Sequence, residues 1–295
     1  MTSDDVQTLV DLDSRGFLAG AGESMGEFLA RVGRIKTLYA EFDAALQENG
    51  GAEVFGVFKV TAADRIAPEL LQEAAAITNE LYGFAVQHVP GFYLQRGMGI
   101  FWGGCMLGDS ESGFSVFMLR EAFRKRKKFL NYRRDELLAH ELCHTARQSM
   151  NEPELEEYFA YRTSASPLRR YLGNCFISDT DTWGFVIPVL LLPVAEMIKI
   201  LWCDTFPAWI FWLVALVYPL WLLCRNAWSR HLVKKALCNV RAAGAEKPQA
   251  VLFRCTFSEV RALGKMSGAE IREMVREKRK NSPRWAVIAA RFFAD

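Results

Sequence analysis

Two long apolar segments, separated by only three residues, constrain this chain more than any other feature of its sequence. Residues 183–202 and 206–224 each have the length that a helix needs to cross about 30 Å of hydrocarbon. The second segment contains no charged residue, and tryptophans stand near the ends of both, where aromatic belts form at membrane interfaces. The sequence therefore predicts a transmembrane helical hairpin over 183–225. The alternative is a helical hairpin buried in a soluble protein, which would need an unusually large core.

The charges beside the hairpin predict its orientation. Arg169 and Arg170 precede it, four basic residues follow it within 225–235, and the connecting turn offers only Asp204. By the positive-inside rule, both flanking parts are expected in the cytoplasm. Seven dispersed cysteines without a CxxC pair fit a reducing compartment, and the acidic N-terminal segment predicts no secretory signal. We therefore expect an integral protein of a bacterial-type inner membrane, with both termini and any active site cytoplasmic.

Charge is distributed unevenly along the chain. From Ser229 onward there are 15 Lys and Arg against 6 Asp and Glu, whereas the first 228 residues hold 21 against 28. A basic tail of this kind indicates contact with anionic lipid or with nucleic acid. The basic run at 123–128 is either a solvated loop or, together with 229–295, a contact for anionic lipid. Nucleic-acid binding is disfavoured because the helix-turn-helix pattern in the tail is weak, and no pattern indicates an oligomeric state.

Hydrophobic periodicity predicts an α+β protein around the hairpin. Helices are expected over 24–47, with a capping box of Ser24 and Glu27, and over 67–85. Strands are expected at 53–60, 92–96, 100–102 and 113–120 before the hairpin, and at 250–257 after it. Further helices are expected at 258–266, 267–280 and 283–293. The predicted parts are an N-terminal helical segment (1–50), a domain with a small sheet (51–172), the hairpin (183–225) and a small basic α/β C-terminal region (229–295).

The stretch ELLAHELCHTAR (136–147) holds two of the four histidines in the chain. Positions i and i+4 lie on one face of a helix, so His140 and His144 can direct their rings at one ion, expected to be zinc. Glu141 lies beside the first of them, where it can act as a general base on a metal-bound water without coordinating the ion. The alternative is a pair of surface or capped core histidines with no metal.

A catalytic zinc needs a third protein ligand and an open position for water. The segment NEPELEEYFAYRTSAS (151–166) begins like a helix and carries glutamates in its first turns. Twelve residues separate His144 from Glu157, which leaves room for the first helix to end and for a second helix to pack across it.

An HExxH sequence followed by a helix with E-x-x-A resembles the gluzincin zinc metallopeptidases. It resembles especially their integral-membrane branch, which includes the CAAX prenyl proteases and the bacterial heat-shock membrane proteases. The matching residues are HELCH (140–144) and EYFA (157–160), and the resemblance covers roughly 113–165. It implies a zincin-like catalytic domain over 51–172, with the strand at 113–120 as the active-site edge strand. It also implies one Zn²⁺ per chain, with Glu141 as the catalytic base and three ligands: His140, His144 and Glu157.

One departure from the family pattern concerns the residues around the ligands. Ala160 matches the small residue that lets the two helices approach, but Tyr161 stands where family members carry an aspartate that hydrogen-bonds a ligand histidine. The Tyr161 hydroxyl could take over that contact or could stabilise an oxyanion. Tyr158 and His231 are further oxyanion candidates by residue type alone.

Another departure concerns the order of motifs. In the heat-shock proteases a membrane hairpin separates HExxH from the glutamate ligand, whereas here the hairpin follows both motifs. If the family order held, the third ligand would be Glu259 of EVRA (259–262). We favour Glu157 because its close spacing requires nothing unusual. Glu154 and Glu156 are weaker rivals on the same helix.

These patterns predict a membrane-anchored zinc metalloendopeptidase that hydrolyses a peptide or protein substrate with a zinc-activated water. The substrate is expected to bind in extended form along the strand at 113–119. One alternative is a non-catalytic zinc-binding membrane protein that acts as a partner-binding or regulatory module. Another is a one-component regulator whose basic tail binds nucleic acid. A transporter or channel is disfavoured because two helices per chain form a pathway only on oligomerisation.

Overall fold

The computed structural model of the chain describes residues 1–94, 103–109 and 112–293, and it shows a mixed α+β protein. Two helices, α8 (Asp179–Leu201) and α9 (Trp209–Ala242), are long and apolar enough to cross a membrane. The other helices before them are α1 (Ser3–Ser14), α2 (Met25–Glu48), α3 (Pro68–Tyr82), α4 (Ala122–Lys125), α5 (Arg134–Arg147), α6 (Glu156–Ala160) and α7 (Pro167–Leu172). The strands are β1 (Ala52–Val54), β2 (Phe58–Val60), β3 (Gly91–Leu94), β4 (Gly104–Gly108), β5 (Ser115–Arg120), β6 (Lys128–Phe129) and β7 (Tyr132–Arg133).

The two apolar helices, α8 (Asp179–Leu201) and α9 (Trp209–Ala242), pack against each other as a hairpin. Close packing depends on Gly184, because a Cβ atom there would lie 2.5 Å from the Tyr218 ring. In the most apolar stretch of each helix only 6% and 17% of the residues are buried. So large an exposed apolar surface is unfavourable in water, which argues against the alternative of a hairpin hidden in a soluble core.

Helix α9 continues well beyond 225, where the hairpin was expected to end. It is 34 residues long, and its second half buries Val233, Ala236 and Val240 in the main core. At the base of the hairpin the Arg225 guanidinium lies 2.6 Å from the Asp181 carboxylate at the start of α8. The second half of α9 therefore connects the apolar hairpin to the rest of the protein, and the ion pair joins the two helices at the base of the hairpin.

Before the hairpin, most predicted helices are confirmed. Helix α2 begins with the expected capping box of Ser24 and Glu27, and α3 occupies most of 67–85. Helix α1 lies within the predicted N-terminal helical segment (1–50), although no separate helix was predicted there. The single strand expected at 53–60 is instead a tight hairpin of β1 and β2, because Phe55 and Gly56 turn the chain at positive φ.

The central sheet corrects one expectation. Its strand order is β3–β5–β4, with β5 parallel to β3 and antiparallel to β4. The expected edge strand at 113–120 is therefore the middle strand, and its backbone groups form hydrogen bonds with β3 on one side and β4 on the other. Among the described residues β4 has only one strand neighbour, so β4 forms an edge. The strand expected at 100–102, and the end of the one at 92–96, lie outside the described residues.

After α9 the described chain is helical, so the prediction of an α/β C-terminal region is wrong. The elements are α10 (Pro248–Phe253), α11 (Phe257–Leu263), α12 (Gly268–Lys278) and α13 (Pro283–Phe292). The strand expected at 250–257 is replaced mainly by α10, which begins at Pro248 and is buried on all sides from Ala250 to Phe253. A short apolar run that is buried all round has no periodicity to separate strand from helix.

The C-terminal helices share one hydrophobic core with the N-terminal helices and with α5. A buried ion pair reinforces this contact, because Arg254 donates hydrogen bonds of 2.8 and 2.7 Å to the two carboxylate oxygens of Asp13. Arg291 also pairs with Asp13. Residues at the two ends of the chain thus stabilise the body that carries the histidine helix.

Candidate metal centre

The HExxH residues lie in the middle of α5, as predicted. Asp135 and Glu136 occupy the first turn of this helix, where carboxylates interact favourably with the helix dipole. The apolar side of α5 is buried in the main core through Leu138, Ala139, Leu142 and Cys143. His140, Glu141 and His144 lie away from that core and line a cavity of 370 Å³.

Helix α6 brings the glutamate to the histidines. After α5 the chain turns at Asn151, which adopts a left-handed conformation (φ 48°), and α6 then packs against α5. Ala160 is fully buried, and its carbonyl oxygen accepts a hydrogen bond from the ring of His140. Glu157, at the start of α6, consequently faces both histidines.

Three side chains form a compact ligand triangle. The Nε2 atoms of His140 and His144 are 3.1 Å apart, and each lies 3.5 Å from an oxygen of Glu157. A tetrahedral zinc with bonds of about 2.0–2.1 Å keeps its ligand atoms roughly 3.4 Å apart. The donor set and its spacing therefore fit a divalent metal, and His140, His144 and Glu157 could hold one.

Glu156 orients the second histidine. Its Oε2 atom lies 3.3 Å from Nδ1 of His144, and its Oε1 atom accepts a 2.8 Å hydrogen bond from Arg147. Arg147 is fully buried between the rings of Phe159 and Phe253. Sequence reasoning treated Glu156 only as a rival ligand. No local signal revealed its role, because the contact depends on which way the His144 ring turns.

We expect Glu156→Gln to weaken metal binding about 10–100-fold, the usual cost of losing a hydrogen bond to a ligand histidine. The amide has a single acceptor oxygen for two donors, Arg147 and His144. Titration of the purified protein against a metal chelator measures the affinity. Glu154→Gln is the matched control, since the Glu154 carboxyl hydrogen-bonds Glu152 instead. Equal affinities in the two variants would contradict this role.

Tyr161 does not take the place of the expected aspartate. Its ring packs edge-on against His140, with ring centroids 4.6 Å apart, and it lines the cavity. Gly173 makes room for it, because a Cβ atom there would fall 2.0 Å from the Tyr161 ring. The other oxyanion candidates are elsewhere: Tyr158 is buried under Arg230, and His231 is exposed on α9.

Glu259 has a structural role in a different part of the protein. Its carboxylate forms two 2.8 Å contacts with Arg284 and a 3.2 Å hydrogen bond with the Trp285 indole. It also completes the capping box of α11 with Thr256. Among the described residues, the group that can hold a metal consists of the two histidines and Glu157.

Burial and neighbouring charges set the proton affinities in the cavity. Burial and the adjacent His144 hold the pKa of His140 well below its usual range, so this ring is neutral and able to ligate. Burial lowers the pKa of His144, but the hydrogen bond to Glu156 and the nearby carboxylates outweigh it and raise that pKa to about 9. A metal bound here would displace the proton from His144.

Glu141 is held beside the ligand triangle without joining it. Burial raises the pKa of its carboxyl group to about 7, and the backbone N–H of Met106 on β4 donates a hydrogen bond to it. A carboxyl group with a pKa near neutrality can both take up and release a proton under physiological conditions.

Comparison with known proteins does not assign a function to this cavity. No protein-family model matches the chain, and no curated protein or solved structure matches it either. Function must therefore be inferred from the cavity itself.

Proposed function

We propose that this protein is a membrane-anchored zinc metallopeptidase of the gluzincin type, built on a zincin-like domain. The observation that carries the proposal is the ligand triangle of His140, His144 and Glu157 with the uncoordinated carboxyl group of Glu141 beside it. Structural zinc sites are closed by four protein ligands, whereas catalytic sites have three and leave a position open. Three ligands that line an accessible cavity fit the second kind.

A divalent metal in this triangle would polarise a carbonyl group and lower the pKa of water. The remaining steps, proton transfer and stabilisation of the oxyanion, would depend on side chains of the protein. The Glu141 carboxylate accepts a proton from the attacking water and transfers it to the nitrogen of the leaving amine. Met106, through its N–H group, keeps that carboxylate in the cavity. Tyr161, whose pKa burial raises to about 12, remains protonated and can donate a hydrogen bond to an oxyanion.

The substrate would bind along β4, not along the strand at 113–119. Cys105 and Met106 of β4 line the cavity. The Met106 N–H group points away from β5, because the alternating hydrogen bonds of the antiparallel β4–β5 pair involve Gly103 and Asp109 and skip Met106. An extended peptide placed along this edge would add a strand to the sheet through the outward-facing backbone groups that Glu141 leaves unoccupied, with its scissile bond beside the ligand triangle.

The hairpin would anchor the catalytic body at the cytoplasmic face of the membrane. This orientation follows the positive-inside rule. The basic residues from Lys125 to Lys128 are exposed, so they are available to contact anionic lipid together with the basic tail at 229–295.

Cleavage of an unfolded protein tests the proposal. The full chain, purified in detergent and loaded with zinc, is expected to fragment a reduced and carboxymethylated protein. 1,10-Phenanthroline should stop the reaction, and one equivalent of zinc should restore it. If the zinc-loaded protein cleaves neither this substrate nor a library of unstructured peptides, the peptidase proposal fails.

A further inference from the structure

The cavity contains one cationic side chain that no carboxylate of the described chain neutralises. Arg169, on α7, lines the cavity with the metal-binding residues. The third cavity carboxylate, Glu136, already has partners, since it accepts a 3.0 Å hydrogen bond from Ser164 and lies 3.2 Å from Arg133. Among the described residues no ion pair reaches Arg169. Its guanidinium carbon lies 4.2 Å from the centroid of the Tyr132 ring.

The position of Arg169 is fixed relative to the histidine helix. Thr163 and Ser164, which follow α6, hydrogen-bond the backbone and the carboxylate of Glu136 on α5. Ser166 then caps the start of α7 by accepting a hydrogen bond from the Arg169 backbone N–H. Tyr132 directly precedes α5 on β7. Both the backbone of Arg169 and the ring under its guanidinium group are therefore tied to the element that carries the ligands.

This arrangement is suited to binding a carboxylate. Stacking on an aromatic ring occupies the face of the guanidinium group and leaves its N–H groups free at the edge, where they can form two parallel hydrogen bonds to a carboxylate. The positive charge of Arg169 also acts electrostatically on the candidate ligand His140. After burial and His144, Arg169 is a further cause of the low pKa of His140.

We propose that Arg169 is a specificity-determining residue that binds a carboxylate of the substrate next to the scissile bond. The inference rests on the proposed peptidase function and names its substrate class: peptides with an acidic side chain or a free C-terminal carboxylate at this position. An acidic side chain and a C-terminal carboxylate are the same planar anion, so the experiment needs probes that distinguish the two.

Three peptide hydroxamates that chelate the metal provide the test, with affinities measured by calorimetry on the zinc-loaded protein. One ends in leucine amide and is neutral, one ends in leucine with a free carboxylate, and one ends in glutamate amide. We expect at least one of the anionic probes to bind tenfold or more tightly than the neutral probe. The better anionic probe identifies the source of the carboxylate. Arg169→Gln should abolish the preference, and Arg169→Lys should keep part of it.

Arg170→Gln is the matched control, because it removes the same charge from the same helix at a residue that does not line the cavity. It should leave the affinities unchanged. The neutral hydroxamate should bind equally to all variants, which reports an intact metal centre. Equal affinity of the three probes for the wild-type protein would overturn the role of Arg169 while leaving the metal centre standing. If no probe binds to the wild-type protein, the proposed function fails and this inference fails with it.

Discussion

Zinc is expected at one ion per chain in the wild-type protein and at close to none in the His144→Ala variant. His144 supplies one of the three ligand atoms, and it connects the site to Glu156 and Arg147. The loss should exceed the roughly 10–100-fold that removal of an outer hydrogen-bond partner costs. Glu157→Gln is expected to have a comparable effect, since it replaces a carboxylate that lies 3.5 Å from both histidines.

Metal analysis of the purified protein after dialysis measures this result. His231→Ala is the matched control for the histidine, because His231 is exposed on α9 outside the cavity. Glu259→Gln is the control for the glutamate; it removes charge from the contacts with Arg284 and should lower stability, but it should retain the zinc. A wild-type protein without zinc, or zinc lost from Glu259→Gln and retained in Glu157→Gln, would contradict the ligand assignment.

Glu141→Gln is expected to keep one zinc per chain and to slow peptide cleavage by about 10²–10⁴-fold, the usual contribution of a general base. At about 1.4 kcal/mol for each factor of ten, this corresponds to roughly 3–6 kcal/mol of lost transition-state stabilisation. Glutamine preserves the size and polarity of the side chain but cannot accept the proton. The rate constants of both proteins with one unfolded substrate, at equal zinc content, provide the comparison.

Glu152→Gln is the control that tests whether cleavage depends on the position of the Glu141 carboxyl group in the cavity and not only on its raised pKa. The pKa of Glu152 is also raised to about 7, by burial and by the hydrogen bond that its protonated carboxyl group donates to Glu154, yet Glu152 does not line the cavity. This variant should cleave at the wild-type rate. Undiminished cleavage by Glu141→Gln would point to a contaminating peptidase. A wild-type protein that binds zinc without any turnover would instead favour a regulatory zinc module.

Local sequence patterns predicted a large part of this protein. The capping box of Ser24 and Glu27, the amphipathic period of α2 and the apolar length of α8 each depend on residues close together in the chain. The HExxH spacing belongs to the same class, because one helical turn is enough to bring His140 and His144 to one side. Patterns of this kind do not require knowledge of any distant contact.

Only the tertiary structure decided which distant residues lie beside the histidine pair. Glu157 and Glu259 were both plausible ligands, and the difference is that Arg284 engages Glu259 on another part of the body. The sequence predicted β5 as the edge strand of the sheet, whereas the edge beside the cavity is β4. Strand order depends on pairing between segments far apart in sequence, which local patterns do not specify.

The chain by itself therefore determined its helices, its apolar hairpin and the pair of histidines, because helical periodicity and side-chain solvation act over a few neighbouring residues. The contact of Glu156 with His144 came from packing α6 against α5, and the placement of Arg169 over Tyr132 came from bringing α7 next to β7, just before α5. Such contacts depend on how rigid elements meet in space, which spacing along the chain does not specify.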